Sequence, residues 1–255
     1  GTKLESPQDI GAKAELFYKN LFTPTSTTTQ VPIPFSHILT PDQAAFLSSE
    51  VTDDEIKGVV FQAPNGKAPG PDRFHKEFFT HFWDIIGPDF LSAVRDFFKR
   101  GHMLRAINHT FLTLIPKKAS SKSFEEFRPI ALCNFIYKTI SKLMANRLAV
   151  VLPLLISLNQ SAFVKGRNIS ENILLAHELV RNMHRHGGQK RLCVKVDLRK
   201  AYDKVRWDYI FHVLKTLGFD SKWIHWTRQC ISTPTFSVLI NGSNYGHFSS
   251  ASGLR

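Results

Sequence analysis

The feature that most constrains this chain is a change of hydrophobic period along its length. Through most of the first two thirds, apolar side chains recur every three or four positions, the spacing of a helix with one buried face. Residues 9–22 show it, as do Phe74, Phe78, Phe79, Phe82, Trp83 and Ile86 in one run. Phe90, Leu91, Val94, Phe97 and Phe98 repeat it in a second run that ends at Gly101. Residues 135–151 predict a long helix with Ile136, Ile140, Leu143 and Leu148 on its buried side, and Ser170 is placed to cap another helix running toward His186. In the last third the period shortens. Residues 192–197 read as a strand, with Val194 and Val196 on one side and Cys193, Lys195 and Asp197 on the other. Helices over 208–217, closed by Gly218, and over 223–231 follow; residues 236–248 then predict a hairpin turning at Asn241-Gly242-Ser243-Asn244. Residues 110–115 add a strand in the first part. Together these periods predict an α+β chain, helix-rich first and β/α last.

Local signals punctuate that pattern. Residues 23–34 form a Thr/Pro/Ser-rich linker, expected to be flexible. Thr52-Asp53-Asp54-Glu55 has the form of a capping box, in which the threonine caps and the glutamate reaches back to start a helix through Phe61. Asn65-Gly66-Lys67-Ala68-Pro69-Gly70-Pro71-Asp72 must be a loop, since glycine and proline fill half of it.

Charge narrows the partners. Lys and Arg total 33 against 21 Asp and Glu, a net +12 with a pI near 9.7, which favours a polyanion, nucleic acid before membrane. Cys133, Cys193 and Cys230 are odd in number and far apart, so they predict neither a disulfide framework nor a zinc site, only buried free thiols. Residues 1–5 lead into no apolar signal core, and the most apolar stretch, 148–158 with Pro153 inside, is too short to span a bilayer. These features predict an intracellular protein, in the nucleus or in a cytoplasmic ribonucleoprotein, with no membrane association.

The segment richest in chemistry is Val194-Lys195-Val196-Asp197-Leu198-Arg199-Lys200-Ala201-Tyr202-Asp203. A carboxylate at the end of an apolar strand is costly to bury and well placed to meet a hard cation such as Mg²⁺. Tyr202, five residues on, would stand over whatever that cation holds. For a lone aspartate, however, capping the following helix is the commoner role, and Asp203 suits it better than Asp197.

The heptad from Asp197 to Asp203 resembles the first palm motif of reverse transcriptases, Asp-x-x-x-Ala-(Phe/Tyr)-Asp, in the non-LTR (LINE-like) branch. Other segments agree in order. Lys67-Ala68-Pro69-Gly70-Pro71-Asp72 is similar to a loop upstream of the fingers in these enzymes, with Arg73 where the family has glycine. Leu114-Ile115-Pro116-Lys117-Lys118 and Phe127-Arg128-Pro129-Ile130 resemble two fingers motifs. Asn146-Arg147-Leu148 lies on the helix where the family carries it, and residues 160–167 match a further motif.

The resemblance, running from about Thr52 to Arg255, implies a partial right-hand polymerase fold. Residues 1–50 would be an N-terminal helix and flexible linker, 51–188 a fingers-like region, and 189–255 the incomplete N-terminal part of a palm, with no thumb. It implies that Asp197 is catalytic and binds Mg²⁺, with Mn²⁺ as an alternative. Lys117, Arg128 and Tyr202 would bind the dNTP, with Tyr202 sensing the sugar 2′ position, and Lys165 and Arg167 would lie near an RNA template paired with a DNA primer.

It also implies what these residues lack. Two-metal phosphoryl transfer draws carboxylates from more than one segment. The chain's one Asp-Asp pair, Asp53-Asp54, sits in the capping box, and the sequence ends before the family's Ala-Asp-Asp hairpin. The expectation is therefore an RNA-directed DNA polymerase domain, inactive in this truncated form; the alternative is a non-catalytic, nucleic-acid-binding remnant of a retrotransposon.

Overall fold

The computed structural model describes residues 6–24, 37–181, 192–198 and 200–254. Among them the chain runs α1 (Pro7–Leu21), α2 (Pro41–Leu47), α3 (Asp53–Gln62), α4 (Lys76–His81) and α5 (Trp83–Arg100). Strands β1 (His109–Pro116) and β2 (Phe127–Cys133) precede α6 (Phe135–Leu155) and α7 (Ile169–Arg181). The rest is α8 (Ala201–Lys204), α9 (Trp207–Thr216), α10 (Ser221–Ser232), β3 (Thr235–Ile240) and β4 (Ser243–Ser249). The α+β class is as expected. Most of the linker expected over 23–34, and the far end of the helix expected to reach His186, fall outside the described residues.

The four strands form one sheet in the order β2-β1-β3-β4. Strand β1 is its hinge: antiparallel to β2, with Ile115 opposite Arg128, and parallel to β3, with Leu112 opposite Val238. The sheet thus joins strands far apart in sequence. Its face carrying Leu112, Phe236, Val238 and Phe248 is covered by α1 through Ala14, Tyr18 and Phe22. A second, larger core packs α2, α3, α5, α6 and α10 around Leu47, Ile56, Val94, Leu143 and Trp226. Each fully buried aliphatic side chain there contributes about 1.5–3 kcal/mol.

Four local expectations are corrected. The capping box at Thr52 is half made: the Thr52 hydroxyl accepts from the Glu55 amide at 3.2 Å, but Glu55 turns instead to Arg147. The complete box lies at Thr40 and Gln43. The phenylalanine-rich helices divide at Phe82 rather than after Ile86, because α5 runs through Gly87 and Pro88, with the Trp83 ring packed against Gly87. Helix α7 starts at Ile169, ahead of Ser170, and the Asn168 carboxamide accepts from the Ser170 amide.

The fourth correction bears on function. The strand expected over 192–197 is absent; residues 192–198 join no ladder, and Val194 and Val196 are 69% and 77% exposed. Alternation of side chains does not make a strand; a neighbour's N–H and C=O groups do, and this segment has none among the described residues. Cys193 lies on it and is exposed, whereas Cys133 and Cys230 are buried as expected.

Candidate functional site

Strands β1 and β2 position the two basic residues expected to bind nucleotide. Arg128 is exposed and paired with Ile115. The Lys117 amide donates to the Glu126 carbonyl at 2.8 Å, continuing the ladder by one step. Lys117 lies one position past the end of β1. Its ammonium donates to the Glu125 carbonyl at 2.6 Å and has further donors to offer. The loop between the strands is tied by Glu126, which accepts from Lys118 and from the Lys122 amide; these bonds hold its carboxyl below the usual range.

Tyr202 and Asp203 approach from the other end of the chain. They sit on α8, a single turn entered through Lys200 in a left-handed conformation. The turn is pinned by the last described residues: the Leu254 amide donates to the Tyr202 carbonyl and the Gly253 amide to the Val205 carbonyl, each at 2.8 Å. The Trp207 indole donates to the Gly253 carbonyl at 2.8 Å. Gly253 has φ +88, and a side chain there would run into the Asp203 backbone, so this contact requires glycine.

A cavity of about 400 Å³ lies between these parts, bounded by Pro129, Ile130 and Ala131 on one side and by Tyr202, Asp203 and Gly253 on the other. Burial pushes the Asp203 carboxyl up, while Lys200 and Lys117 pull it back, so Lys117 acts electrostatically on this cavity's carboxylate. Tyr18 of α1 has a buried hydroxyl with no hydrogen-bond partner among the described residues; burial, then Asp203 and Glu125, raise its pKa.

The structure therefore places Arg128 on β2 and Lys117 just past the end of β1, and sets Tyr202 and Asp203 across a cavity from β2. It does not gather the remaining expected residues. Asp197 is exposed, with no hydrogen bond or ion pair among the described residues. Lys165 is exposed on its loop. Arg167 faces inward: its guanidinium donates to the carbonyls of Pro153, Ile156, Ser157 and Gln160 at 2.5–2.9 Å, closing the end of α6. Arg147 is buried more deeply, with both its Nε and Nη2 on the Glu55 carboxylate and further bonds to the carbonyls of Leu47, Ser49 and Glu50. Sequence reasoning missed that Asp203 shares the cavity with Tyr202; the signal was their adjacency in one motif.

Among the described residues no cluster of three or more His, Cys, Asp or Glu side chains could hold a metal ion. Among those residues Asp197 stands as a single carboxylate, which does not fit a two-metal site. No described helix is long and apolar enough to cross a membrane.

Residues 115–255 match the family described as reverse transcriptase (RNA-dependent DNA polymerase). Over 249 residues the chain is 30% identical to the transposon TX1 uncharacterized 149 kDa protein of Xenopus laevis, an alignment that takes in 95% of this chain and 19% of that protein. The chain belongs to the reverse transcriptase family, and the resemblance of its motifs to the non-LTR, LINE-like branch is borne out. It spans about a fifth of the length of the relative it matches.

Proposed function

We propose that this chain serves in the polymerase domain of a LINE-like retroelement's reverse transcriptase, with residues 51–188 acting as fingers and 189–255 as the start of the palm. Lys117 and Arg128 bind the dNTP triphosphate, and Tyr202 stands against its sugar. Asp197 is the carboxylate that would take Mg²⁺, or Mn²⁺. Lys165 meets the phosphates of the RNA template while Arg167 holds the loop that presents it. The DNA primer would lie with that template, and the setting is intracellular. The observation that carries this reading is the cavity that β2, just past Arg128, shares with Tyr202. In the chemistry proposed, these residues align the triphosphate and primer; positioning and charge compensation, rather than covalent steps by protein groups, lower the barrier.

The test is dNTP binding to the 255 residues, followed by fluorescence of a labelled nucleotide. Lys117→Ala and Arg128→Ala should each weaken binding, by about tenfold if one charge-assisted contact is lost. Unchanged affinity in both variants would sink the clamp. A second reading, a nucleic-acid-binding remnant without catalysis, is favoured by one observation: Asp197 lies on an exposed segment that joins no ladder among the described residues. Under it, RNA binding persists, steeply salt-dependent, while dNTP binding is absent.

A further inference from the structure

Helices α9 and α10 leave a groove between them that the polymerase reading does not use. Residues 217–220 join the two helices, with Gly218 at φ +83 turning the chain, and the helices pack on each other. On α10, Trp223, Trp226 and Cys230 are buried in the larger core, whereas Ile224, Arg228 and Ser232, at four-residue steps, line the groove. On α9, Trp207, Phe211 and Lys215 repeat the same step along the facing wall. The groove has a volume of about 1040 Å³, and its α9 wall, from Trp207 to Thr216, runs for about 14 Å at 1.5 Å per residue.

Its lining combines apolar surface with a surplus of positive charge. Phe211 is buried, and Trp207, partly buried, has its indole held on the Gly253 carbonyl at 2.8 Å. Arg206, His212, Lys215 and Arg228 bring the positive charge, and of the described residues around the groove only Asp208 is a carboxylate. Asp208 is paired with Arg206 at 2.6 Å, so the surplus falls on Lys215 and Arg228, both exposed. The Arg228 guanidinium carbon lies 4.0 Å from the Phe211 ring centroid. A guanidinium laid over a ring is held by its face, and its N–H edges stay open to a planar carboxylate. The stack therefore removes part of the ordering cost before any ligand arrives.

We propose that this groove receives an acidic amphipathic helix of a partner protein, about three turns long, with its apolar stripe against Trp207, Phe211 and Ile224 and its carboxylates on Lys215 and Arg228. Both walls carry side chains at the i, i+4 interval that a third helix also presents, so the three can interdigitate along the groove. A phosphate backbone would meet a largely uncharged wall and a carboxylate in its path. A helix bearing a few carboxylates beside apolar anchors matches both halves of the lining. None of these side chains has a part in the polymerase reading above, so the groove stands or falls apart from it.

The test is fluorescence anisotropy of a labelled peptide on the 255-residue chain. The peptide has about twelve residues of Glu, Ala, Leu and Phe, with Leu and Phe at helical spacing on one face and Glu on the other. It should bind saturably, and more weakly as salt rises. Arg228→Gln should weaken binding by about tenfold and Lys215→Gln by about threefold, because a preorganised fork is worth more than a solvated ammonium. Changing the peptide's Leu and Phe to Ala, or its Glu to Gln, should each weaken it by about tenfold or more. Circular dichroism melts check folding, and exposed Lys215 keeps the test open should Arg228→Gln lose its fold. Arg228→Gln should leave the labelled-dNTP signal as it is in the parent, so failure of the clamp and failure of the groove are read separately. No saturable peptide binding by the parent, or equal affinity in both variants, overturns the proposal. A single-stranded RNA that displaces the peptide and itself loses affinity in Arg228→Gln overturns it in favour of nucleic acid. A dimer in sedimentation velocity that Arg228→Gln dissociates overturns it in favour of a second copy of the chain.

Discussion

Arg147 and Asp197 both lie in motifs that mark the family, and their surroundings are opposite. Arg147 is 6% exposed, its fork closed on Glu55 and on three carbonyls between α2 and α3. Asp197 lies on a segment that pairs with nothing described, beside hydrophobic residues turned to solvent. The difference separates two reasons why a charged residue belongs to a family pattern. One charge is there to hold the chain together, and its partners are all present. The other, in the role proposed above, is there for chemistry, and its geometry has to be supplied by whatever orders the segment around it. Catalytic groups need fixing to within a fraction of an ångström, a condition that the Asp197 segment does not meet by itself.

The sharpest way to break this contrast is at its buried end. Arg147→Ala removes the guanidinium and leaves Glu55 and three backbone carbonyls without their donor. Loss of one member of a buried pair typically costs about 3–5 kcal/mol, which in a chain of this size lowers the Tm by about 10 °C. Urea unfolding measures it; a loss under about 1 kcal/mol would mean the clamp is dispensable. The next effect separates two neighbours in one motif. Arg167→Ala should cost about 1.5–3 kcal/mol, the worth of charged hydrogen bonds at the end of α6, whereas Lys165→Gln should leave stability unchanged and reduce only the salt slope of RNA binding, by about 0.7. Equal melting temperatures for the two variants would erase that distinction.

A smaller effect is expected at Arg73, the position where the family resemblance calls for glycine. Its φ is +63, a left-handed conformation that costs a residue with a side chain about 1–2 kcal/mol. The turn survives because the Arg73 amide donates to the Gly70 carbonyl and the Asp72 carboxylate accepts from the Phe74 amide. Arg73→Gly trades this strain against the extra freedom glycine has when unfolded, for a net gain of about 0.5–1 kcal/mol. A thermal melt that moves down instead of up would show that the arginine side chain has a stabilising contact.

Legibility followed the range of the interactions. Helices α1, α5, α6, α9 and α10 could be read because apolar spacing is a local record of which face is buried. The β3–β4 turn could be read because Asn241 and Gly242 both adopt positive φ, the geometry that this pair of residues favours. The parallel pairing of β1 with β3 could not, since no nearby residue encodes a partner more than a hundred positions away. The order of the motifs identified the family, yet it was silent on which basic residues face solvent. Arg128 and Arg167 look alike in sequence; one is exposed on a strand and the other is closed over four carbonyls. Nor could alternation at Val194 and Val196 reveal that their segment has no pairing partner among the described residues.

The smallest effect is expected at Asp197, and it is the one that tests the contrast from its exposed end. An unpaired surface carboxylate contributes little to folding, so Asp197→Ala should change stability by no more than about 0.5 kcal/mol. The parent should also gain no stability from millimolar Mg²⁺, because a ligand raises the melting temperature only where the folded state binds it better than the unfolded one. With a single carboxylate on a segment that joins no ladder among the described residues, these 255 residues should give no measurable primer extension on an RNA template. A Mg²⁺-dependent rise in Tm that Asp197→Ala removes would mean that the segment orders around the ion. Extension abolished by the same substitution would carry the point further, since Asp197 would then be as firmly held in the working state as Arg147 is in the folded one.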